Sequence, residues 1–242
     1  MILTGAQYRQ FLQGLQVTLT VLGYAFVIGV VLSLVFGVLR LSSNRIVRGV
    51  ALVYVEFFRG ISAIILLFIM AYGLPILLGV GQGNRLLYAA IALGLNMGGY
   101  GAEIVRGSIL AVPKGQTEAS IALNLTPFQR LRLVVLPQAL RIILPPFGNL
   151  TIEILKGTAL VSLVALADLA QVRNIIRGQQ LAAGTYNDVA LLFNILVIYF
   201  VVAQVIAGLF RVAELGLERR YRTRRGELPP LPDAAANAEV TR

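Results

Sequence analysis

The chain has 242 residues and a formal net charge of +10, and 57% of its residues are hydrophobic while only 13% are charged. A soluble domain is about half apolar and a quarter charged, so this composition, with a mean hydropathy of +0.80, indicates that lipid is the main solvent. The absence of cysteine and histidine excludes disulfides, thiol nucleophiles, zinc clusters and histidine acid–base chemistry.

Five apolar stretches are long enough to cross a bilayer, which takes about 20 residues of helix. They cover residues 17–39, 52–78, 86–105, 138–166 and 189–212. Lipid cannot satisfy the polar groups of irregular backbone, so the sequence predicts an all-α membrane protein with five transmembrane helices. Residues 1–225 form the predicted membrane domain. Residues 226–242 are rich in proline, alanine and acid and are predicted to be a disordered cytoplasmic tail.

Basic residues flank these stretches unevenly. They are frequent after the first, third and fifth stretches (Arg40, Arg45, Arg48; Lys114, Arg130, Arg132, Arg141; Arg211, Arg219, Arg220, Arg222, Arg224, Arg225) and sparse elsewhere (Arg9, Arg85, Arg173, Arg177). The positive-inside rule then predicts an external N-terminus and a cytoplasmic C-terminus. These basic residues border apolar stretches and do not form a stripe on a water-exposed surface. Their placement therefore predicts contact with anionic membrane lipid and no nucleic-acid partner.

Between the third and fourth spans, residues 115–137 form an amphipathic, charge-bearing segment on the predicted cytoplasmic side. Gly115 or Thr117 is expected to begin a helix with Glu118 in its first turn, and Asn124 to end it in a left-handed conformation. Thr126 and Pro127 restart a helix as cap and first residue, and Leu136-Pro137 ends it or kinks it into the next span. Periodicity leaves two interpretations, a helix lying on lipid and a docking element for a cytoplasmic partner.

Polar residues within the spans are the candidates for a solute pathway, because charge inside a membrane is costly. Asn149, Glu153 and Lys156 follow one another at i, i+4 and i+7, which places them on one face of the fourth span. At about 1.5 Å per residue from Pro137, Glu153 and Lys156 should lie in the outer half of the membrane. The stripe carries both charges that a zwitterion needs, but it is equally consistent with a self-neutralising pair.

The second and third spans carry further polar residues. Asn96 and Tyr100 could face the same central cavity, whereas Glu103 lies nearer the cytoplasm. Two i, i+3 pairs are predicted to be structural ion pairs: Glu103 with Arg106, and Glu56 with Arg59.

The segment 115–137 resembles the cytoplasmic signature of bacterial ABC-importer permeases: EAA, three residues, G, nine residues, I, any residue, LP. Here the spacing is complete, with Ser120 in place of the last alanine, Asn124 in place of glycine and Val134 in place of isoleucine. The resemblance implies that the segment is the coupling helix that contacts an ATP-binding subunit. The residues to which it assigns this role are Gly115, Gln116, Glu118, Ala119, Ser120, Asn124, Leu136 and Pro137.

Other stretches resemble the polar amino-acid permeases of the histidine, glutamine and arginine type: VYVEFFRG (53–60), YGAEIVRGSI (100–109), LPQALRIILPPFGN (136–149) and LKGTALVS (155–162). Ile61-Ser62 replaces the Thr-Pro that usually follows FRG. The form FFRG-x-SA with ALRIILPPFGNL resembles the ectoine/hydroxyectoine branch. The implied fold is that of a type I ABC importer permease in the bacterial cytoplasmic (inner) membrane.

The resemblance also implies partners. They are two ATP-binding cassette subunits, a second permease chain that is a copy or a paralogue, and an external solute-binding protein for which Asp168 and its neighbours are candidate docking residues. The chain has no G-x-x-x-x-G-K-[ST] loop, so it is expected to bind no cofactor or metal and to have no catalytic residue, with ATP and Mg on the partner. An ion-gradient carrier or channel and a scaffold protein are the alternatives, although five spans without an inverted repeat disfavour the carrier.

Overall fold

The computed structural model of the protein describes residues 4–79, 84–185 and 187–225, with side chains described as far as Arg219. Helices dominate, and no strand occurs among those residues. In chain order the α-helices are α1 (Gly5–Leu39), α2 (Arg45–Gly60), α3 (Ala63–Phe68), α4 (Leu74–Leu78), α5 (Arg85–Leu110), α6 (Lys114–Ala122), α7 (Pro127–Arg130), α8 (Leu136–Gly157), α9 (Leu169–Ala182) and α10 (Asp188–Arg225). The predicted tail 226–242 lies outside the described residues.

α5 is the central helix of the bundle. It packs along α1 and is also contacted by α2 and α8. Leu93, Met97 and Val105 on α5 are almost completely buried. Glycines on both helices, such as Gly37 and Gly101, leave room for this close approach. The bundle therefore has its tightest interface between its first and third predicted spans.

Three helices in the described part of the chain are long and apolar enough to cross a membrane, and a bent pair of helices makes up to four. α5 is not among them, although it coincides with the predicted span 86–105. Its glycines, Asn96 and Glu103 lower its hydropathy. α5 can have this low hydropathy because its neighbours cover it, and a covered helix needs no continuous lipid-facing surface.

The predicted second span is not one helix. Arg45–Gly60 and Ala63–Leu78 meet at a bend of 101°. Ile61 and Ser62 between them both have extended backbone conformations, with ψ of 141° and 131°. An unbroken helix over 52–78 is therefore wrong, since apolar character extends through the break and conceals it from a hydropathy argument.

Two π-helical turns precede prolines. Ile69–Gly73 comes just before Leu74-Pro75, and Leu131–Val135 just before Leu136-Pro137. Proline has no N–H and its ring collides with the carbonyl four residues earlier, so a wider turn lets the helix continue. Of the two expectations for Leu136-Pro137, a helix end is wrong, because a helical run extends from Pro127 to Val164, and a kink into the next span stays a prediction.

The ends of the spans also differ from prediction. α1 begins at Gly5 and α10 extends to Arg225, and the helical turn Thr158–Val164 after α8 is a 3₁₀ helix. α9 was not predicted. It forms a second small core with α1 and α10, composed of Phe11, Leu169, Val172, Ile176 and Leu191.

Candidate functional site

The segment 115–137 folds as helix, turn and helix. α6 begins at Lys114 after Pro113, so the predicted start at Gly115 or Thr117 is wrong, and Glu118 lies beyond the first turn. Pro113 precedes the helix with an extended ψ of 133°, and no side chain caps this start. Glu118 therefore gains little from the helix dipole, and its carboxylate is exposed.

α6 ends in a Schellman motif. Asn124 has a φ of 56°, as predicted, and its N–H donates to the carbonyl of Ile121 at 2.8 Å. The N–H of Leu125 donates to the carbonyl of Ser120 at 3.1 Å. Asparagine tolerates this left-handed conformation better than most residues. The turn thus fixes the angle at which α7 leaves α6.

The restart of the helix also follows the predicted chemistry. The side chain of Thr126 accepts from the N–H of Gln129, the side chain of Gln129 accepts from the N–H of Thr126, and Pro127 occupies the first helical turn. This is a capping box, which satisfies donors that the helix cannot satisfy itself. Two caps in succession make residues 115–137 a segment of defined shape.

The segment exposes a largely apolar face. Its large exposed side chains are Ile121, Leu123, Phe128 and Leu133. Leu123 and Phe128 are 73% and 70% exposed, which is far more than a side chain in a folded core. Ser120, by contrast, is buried and donates to the carbonyl of Thr117 at 2.6 Å. The face can bind an apolar groove of a partner or the membrane surface.

A cleft of about 330 Å³ opens between α2, α5 and α8. Its lining consists of five polar or charged residues (Arg59, Tyr100, Glu103, Asn149 and Glu153) and three apolar ones (Ile104, Pro146 and Leu150). Glu103 and Glu153, which the sequence argument placed at different depths, line the same cleft. Asn149 and Glu153 are both exposed there, so their polar atoms are available to a ligand.

The carboxylate of Glu103 is already neutralised. Arg106 lies 2.8 Å from one of its oxygens, as the predicted pair requires, and Arg40 lies 2.9 Å from the other. Arg40 follows α1 directly and its side chain is only 13% exposed. Arg40 is separated from Glu103 by 63 residues, so sequence spacing gives no sign of this contact and only the packing of α1 on α5 creates it.

Arg59 belongs to both an ion pair and the cleft. Its guanidinium is 3.9 Å from Glu56, at the outer limit of an ion pair, and both side chains are exposed, so this contact is weak. The same guanidinium lies 5.6 Å from the centre of the Tyr100 ring. Its charge is therefore still available in the cleft.

Two predicted pathway residues bond to the end of α2. Asn96 is buried and donates from Nδ2 to the carbonyl of Phe58 at 2.9 Å, and the Tyr100 hydroxyl donates to the carbonyl of Arg59 at 3.2 Å. These carbonyls belong to the last turn before the break, where a helix lacks its own donors. Tyr100 still lines the cleft, whereas Asn96 and Lys156 do not.

Asp168, the predicted docking residue, is only 1% exposed, so the expectation that it meets an external protein is wrong. It caps α9, where its carboxylate accepts from the N–H of Gln171 at 2.9 Å. Burial raises its pKa from 3.8 to about 6, although hydrogen bonds from the backbone oppose this shift. The capping role accounts for a buried aspartate at this position, since the start of an internal helix needs a buried hydrogen-bond acceptor.

Comparisons with known proteins agree with this geometry. The sequence profile of the family described as "Binding-protein-dependent transport system inner membrane component" matches residues 4–218. The chain is 38% identical over 216 residues to a probable amino-acid ABC transporter permease protein, y4tF, of Sinorhizobium fredii, which covers 86% of this chain and 87% of that protein. It is 32% identical over 213 residues to the glutamine transport system permease protein GlnP of Escherichia coli, which covers 87% and 92%.

A solved structure is also similar. The crystal structure described as an amino acid ABC transporter with histidines superposes with a TM-score of 0.75 at 32% identity, and the match covers 88% of this chain and 99% of that chain.

Proposed function

The chain belongs to the family of inner-membrane components of binding-protein-dependent transport systems, as a permease subunit of an amino-acid ABC importer, and we propose that it translocates polar or zwitterionic amino-acid-type solutes driven by ATP hydrolysis on a separate subunit. Ectoine and hydroxyectoine are candidate solutes because of the FFRG-x-SA and ALRIILPPFGNL stretches. The protein is a multi-pass protein of the inner membrane. Its family makes it a transport component and indicates no enzymatic activity.

The observation that supports the solute class is the charge distribution of the cleft. Arg40 and Arg106 occupy the carboxylate of Glu103, so the other charged side chains of the lining, Arg59 and Glu153 on different helices, are those available to a ligand. A zwitterion needs one group of each sign. Asn149 and Tyr100 add hydrogen-bonding groups to the same lining. We therefore assign the solute pathway to this cleft.

A substitution on α8 tests the assignment. Glu153→Ala removes the free carboxylate from the cleft, so we expect uptake by the assembled transporter to fall while the amount of assembled complex is unchanged. Lys156→Gln is the matched control, because Lys156 is exposed on the same helix and lies outside the lining. Unchanged uptake kinetics in Glu153→Ala would remove Glu153 from the pathway.

The second element of the proposal is the coupling role of residues 115–137. The exposed side chains of Ile121, Leu123 and Phe128 with the carboxylate of Glu118 form a surface that suits a groove on an ATP-binding subunit, where ATP and Mg would bind. Closure of two such subunits would move a pair of these segments and tilt the helices attached to them. We include Gly115, Gln116, Ala119, Ser120, Asn124, Leu136 and Pro137 in this element.

Reversal of one charge on that surface distinguishes docking from lipid contact. We expect Glu118→Lys to abolish solute-stimulated ATPase activity in the complex while the chain still inserts in the membrane. Glu218→Lys is the control, since Glu218 is equally exposed but lies on α10. If Glu118→Lys leaves coupling intact, the surface around Glu118 is not the docking surface, and the interpretation of residues 115–137 as a helix on lipid is favoured. Uptake that needs no ATP and no partner ATPase would instead favour an ion-gradient carrier.

We propose an assembly of two permease chains with two ATPase chains and an external binding protein, with the N-terminus outside and the C-terminus in the cytoplasm. The chain contains no cysteine, so single cysteines report on topology without background. Cysteine at Thr4 should react with an impermeant maleimide in intact cells, and cysteine at Leu123 should react only after lysis. The reverse pattern would refute the orientation.

A further inference from the structure

Gln138 connects three parts of the structure through one side chain. Its amide nitrogen donates to Oε1 of Gln116 at 3.1 Å and to the carbonyl of Val134 at 3.0 Å. A glutamine amide has two N–H donors, so both are used. Gln116 lies on α6, Val134 in the π-helical turn, and Gln138 in the first turn of α8. The side chain therefore joins the predicted coupling helix to the base of α8.

The base of α8 is continuous with the cleft. Gln138, Asn149 and Glu153 lie on one helix, and the two cleft residues are 11 and 15 positions further along it. At 1.5 Å per residue these separations correspond to about 17 and 23 Å. α8 continues through Pro145 and Pro146 between Gln138 and Asn149, and it packs against α5 and α10. Gln138 therefore lies at one end of a helix whose other end lines the cleft.

α6 packs on the π-helical turn and on α7, and a single side-chain hydrogen bond joins it to α8 among the described residues. Within α6, which the structure describes in full, Ser120 is the buried residue, and its hydroxyl donates to a carbonyl of the same helix. The link to α8 is made by Gln116, which is half-buried, whereas Glu118 and Ala119 are exposed. The pair Gln116–Gln138 is consequently placed between the surface available to a partner and the helix that lines the cleft.

We propose that Gln138 is a positioning residue that ties α6 to the base of α8, so that a displacement of α6 by the ATPase subunit is transmitted to the solute cleft. The inference rests on the proposed function, since it presupposes ATP-driven uptake. Without this hydrogen bond, α6 is joined to α8 only through α7 and the π-helical turn, and less of its displacement reaches α8. Part of the ATP is then hydrolysed without solute movement, so the number of solutes transported per ATP falls while ATPase activity remains.

The first experiment compares variants in proteoliposomes that contain the full complex with its ATPase and binding protein. L-Glutamine, L-arginine, L-cystine and ectoine serve as probe solutes, and both uptake and phosphate release are measured. We expect Gln138→Leu to lower uptake per ATP about 2- to 12-fold, the factor that corresponds to one net hydrogen bond. Gln179→Leu, an exposed glutamine on α9, is the matched control. An equal ratio in the two variants overturns the inference.

The second experiment restores the tie in a folded molecule, which separates transmission from misfolding. Because the chain contains no cysteine, Gln116→Cys with Gln138→Cys can be joined by a short bis-methanethiosulfonate reagent and released by reductant. We expect the joined complex to regain the wild-type uptake per ATP and the reduced complex to lose it. A joined complex that transports less than the reduced one overturns the inference, because α6 must then move independently of α8.

The two experiments also distinguish the inference from its premise. If the wild-type complex takes up none of the four probes in an ATP-dependent manner, the proposed function fails, whatever Gln138 does. If the wild-type complex couples normally and Gln138→Leu matches its control, only the tie is refuted.

Discussion

α1 and α5 pack so closely that one methyl group added at their interface should lower the stability of the protein. A Cβ added at Gly101 would lie 2.0 Å from Oγ of Ser33, 2.8 Å from Cβ of Ser33 and 2.9 Å from Cζ of Phe147. The hydroxyl of Ser33 donates to the carbonyl of Gly29 at 2.6 Å, so its rotation sacrifices a buried hydrogen bond. Cβ of Ser33 can move only if the whole helix shifts. Gly101→Ala should therefore destabilise the bundle.

The size of the effect follows from a comparison with a second glycine on the same helix. A Cβ at Gly107 meets nothing within 4 Å. Both changes gain the helix propensity of alanine over glycine, about 1 kcal/mol, so this contribution cancels between them. What remains is the overpacking at Gly101, typically ~1–3 kcal/mol. At ~2–4 °C per kcal/mol for a chain of this length, Gly101→Ala should melt ~2–12 °C below Gly107→Ala.

The assay is thermal inactivation of the purified protein in detergent, followed as loss of the monodisperse chromatographic peak after heating. Ser33→Gly combined with Gly101→Ala removes two of the three close contacts and should recover part of the loss. Equal midpoints for Gly101→Ala and Gly107→Ala would show that α1 and α5 are not packed this closely, and the reasoning about the central helix would be refuted.

The same assay tests three further residues. Asn124→Val should destabilise the protein by ~1–2 kcal/mol because a β-branched residue resists a φ of 56°, while Asn124→Gly should not. In the folded protein the pKa of the Asp168 carboxyl is about 6, against 3.8 for the same group outside the fold. The stability that Asp168 contributes is therefore complete below pH 3.8 and is lost as the pH rises through 6. The melting temperature should fall from pH 5 to pH 7.5, and Asp168→Asn should flatten this dependence. Glu103→Ala leaves the guanidinium groups of Arg40 and Arg106 without their carboxylate. It should therefore lower the free energy of unfolding more than Arg106→Ala does, by less than the ~3–5 kcal/mol typical of a broken, fully buried pair.

The ends of the helices in residues 115–137 were predictable where the type of one residue determines the local backbone conformation. Asn124 has the left-handed conformation expected of it, and Thr126 and Pro127 begin a helix as cap and first residue. These outcomes depend on backbone sterics within four residues, which the sequence contains in full. The family and the all-helical importer fold are confirmed as well, because motif spacing and hydropathy are likewise properties of the sequence.

Predictions failed where the outcome depends on what a residue packs against. The break at Ile61-Ser62 lies within an apolar stretch, so hydropathy alone indicates one span. A helix end was one expectation for Leu136-Pro137, yet a wider turn before Pro137 lets the helix continue. Asp168 looked available in a connection between spans but is buried by the unpredicted helix α9, which it caps.

The polar residues of the spans show why periodicity cannot select a ligand site. Asn96 and Tyr100 share a helix face, and so do Asn149 and Glu153, so the sequence treats the two pairs alike. The break in α2 distinguishes them. It leaves carbonyls without intrahelical donors, and the side chains of α5 supply those donors, which commits the amide of Asn96 to the fold. No comparable break lies opposite Glu153 among the described residues of the cleft, and its carboxylate remains available. The proposal that Glu153 serves the solute pathway thus depends on the absence of a structural task for its carboxylate, and only the packing of the helices reveals that absence.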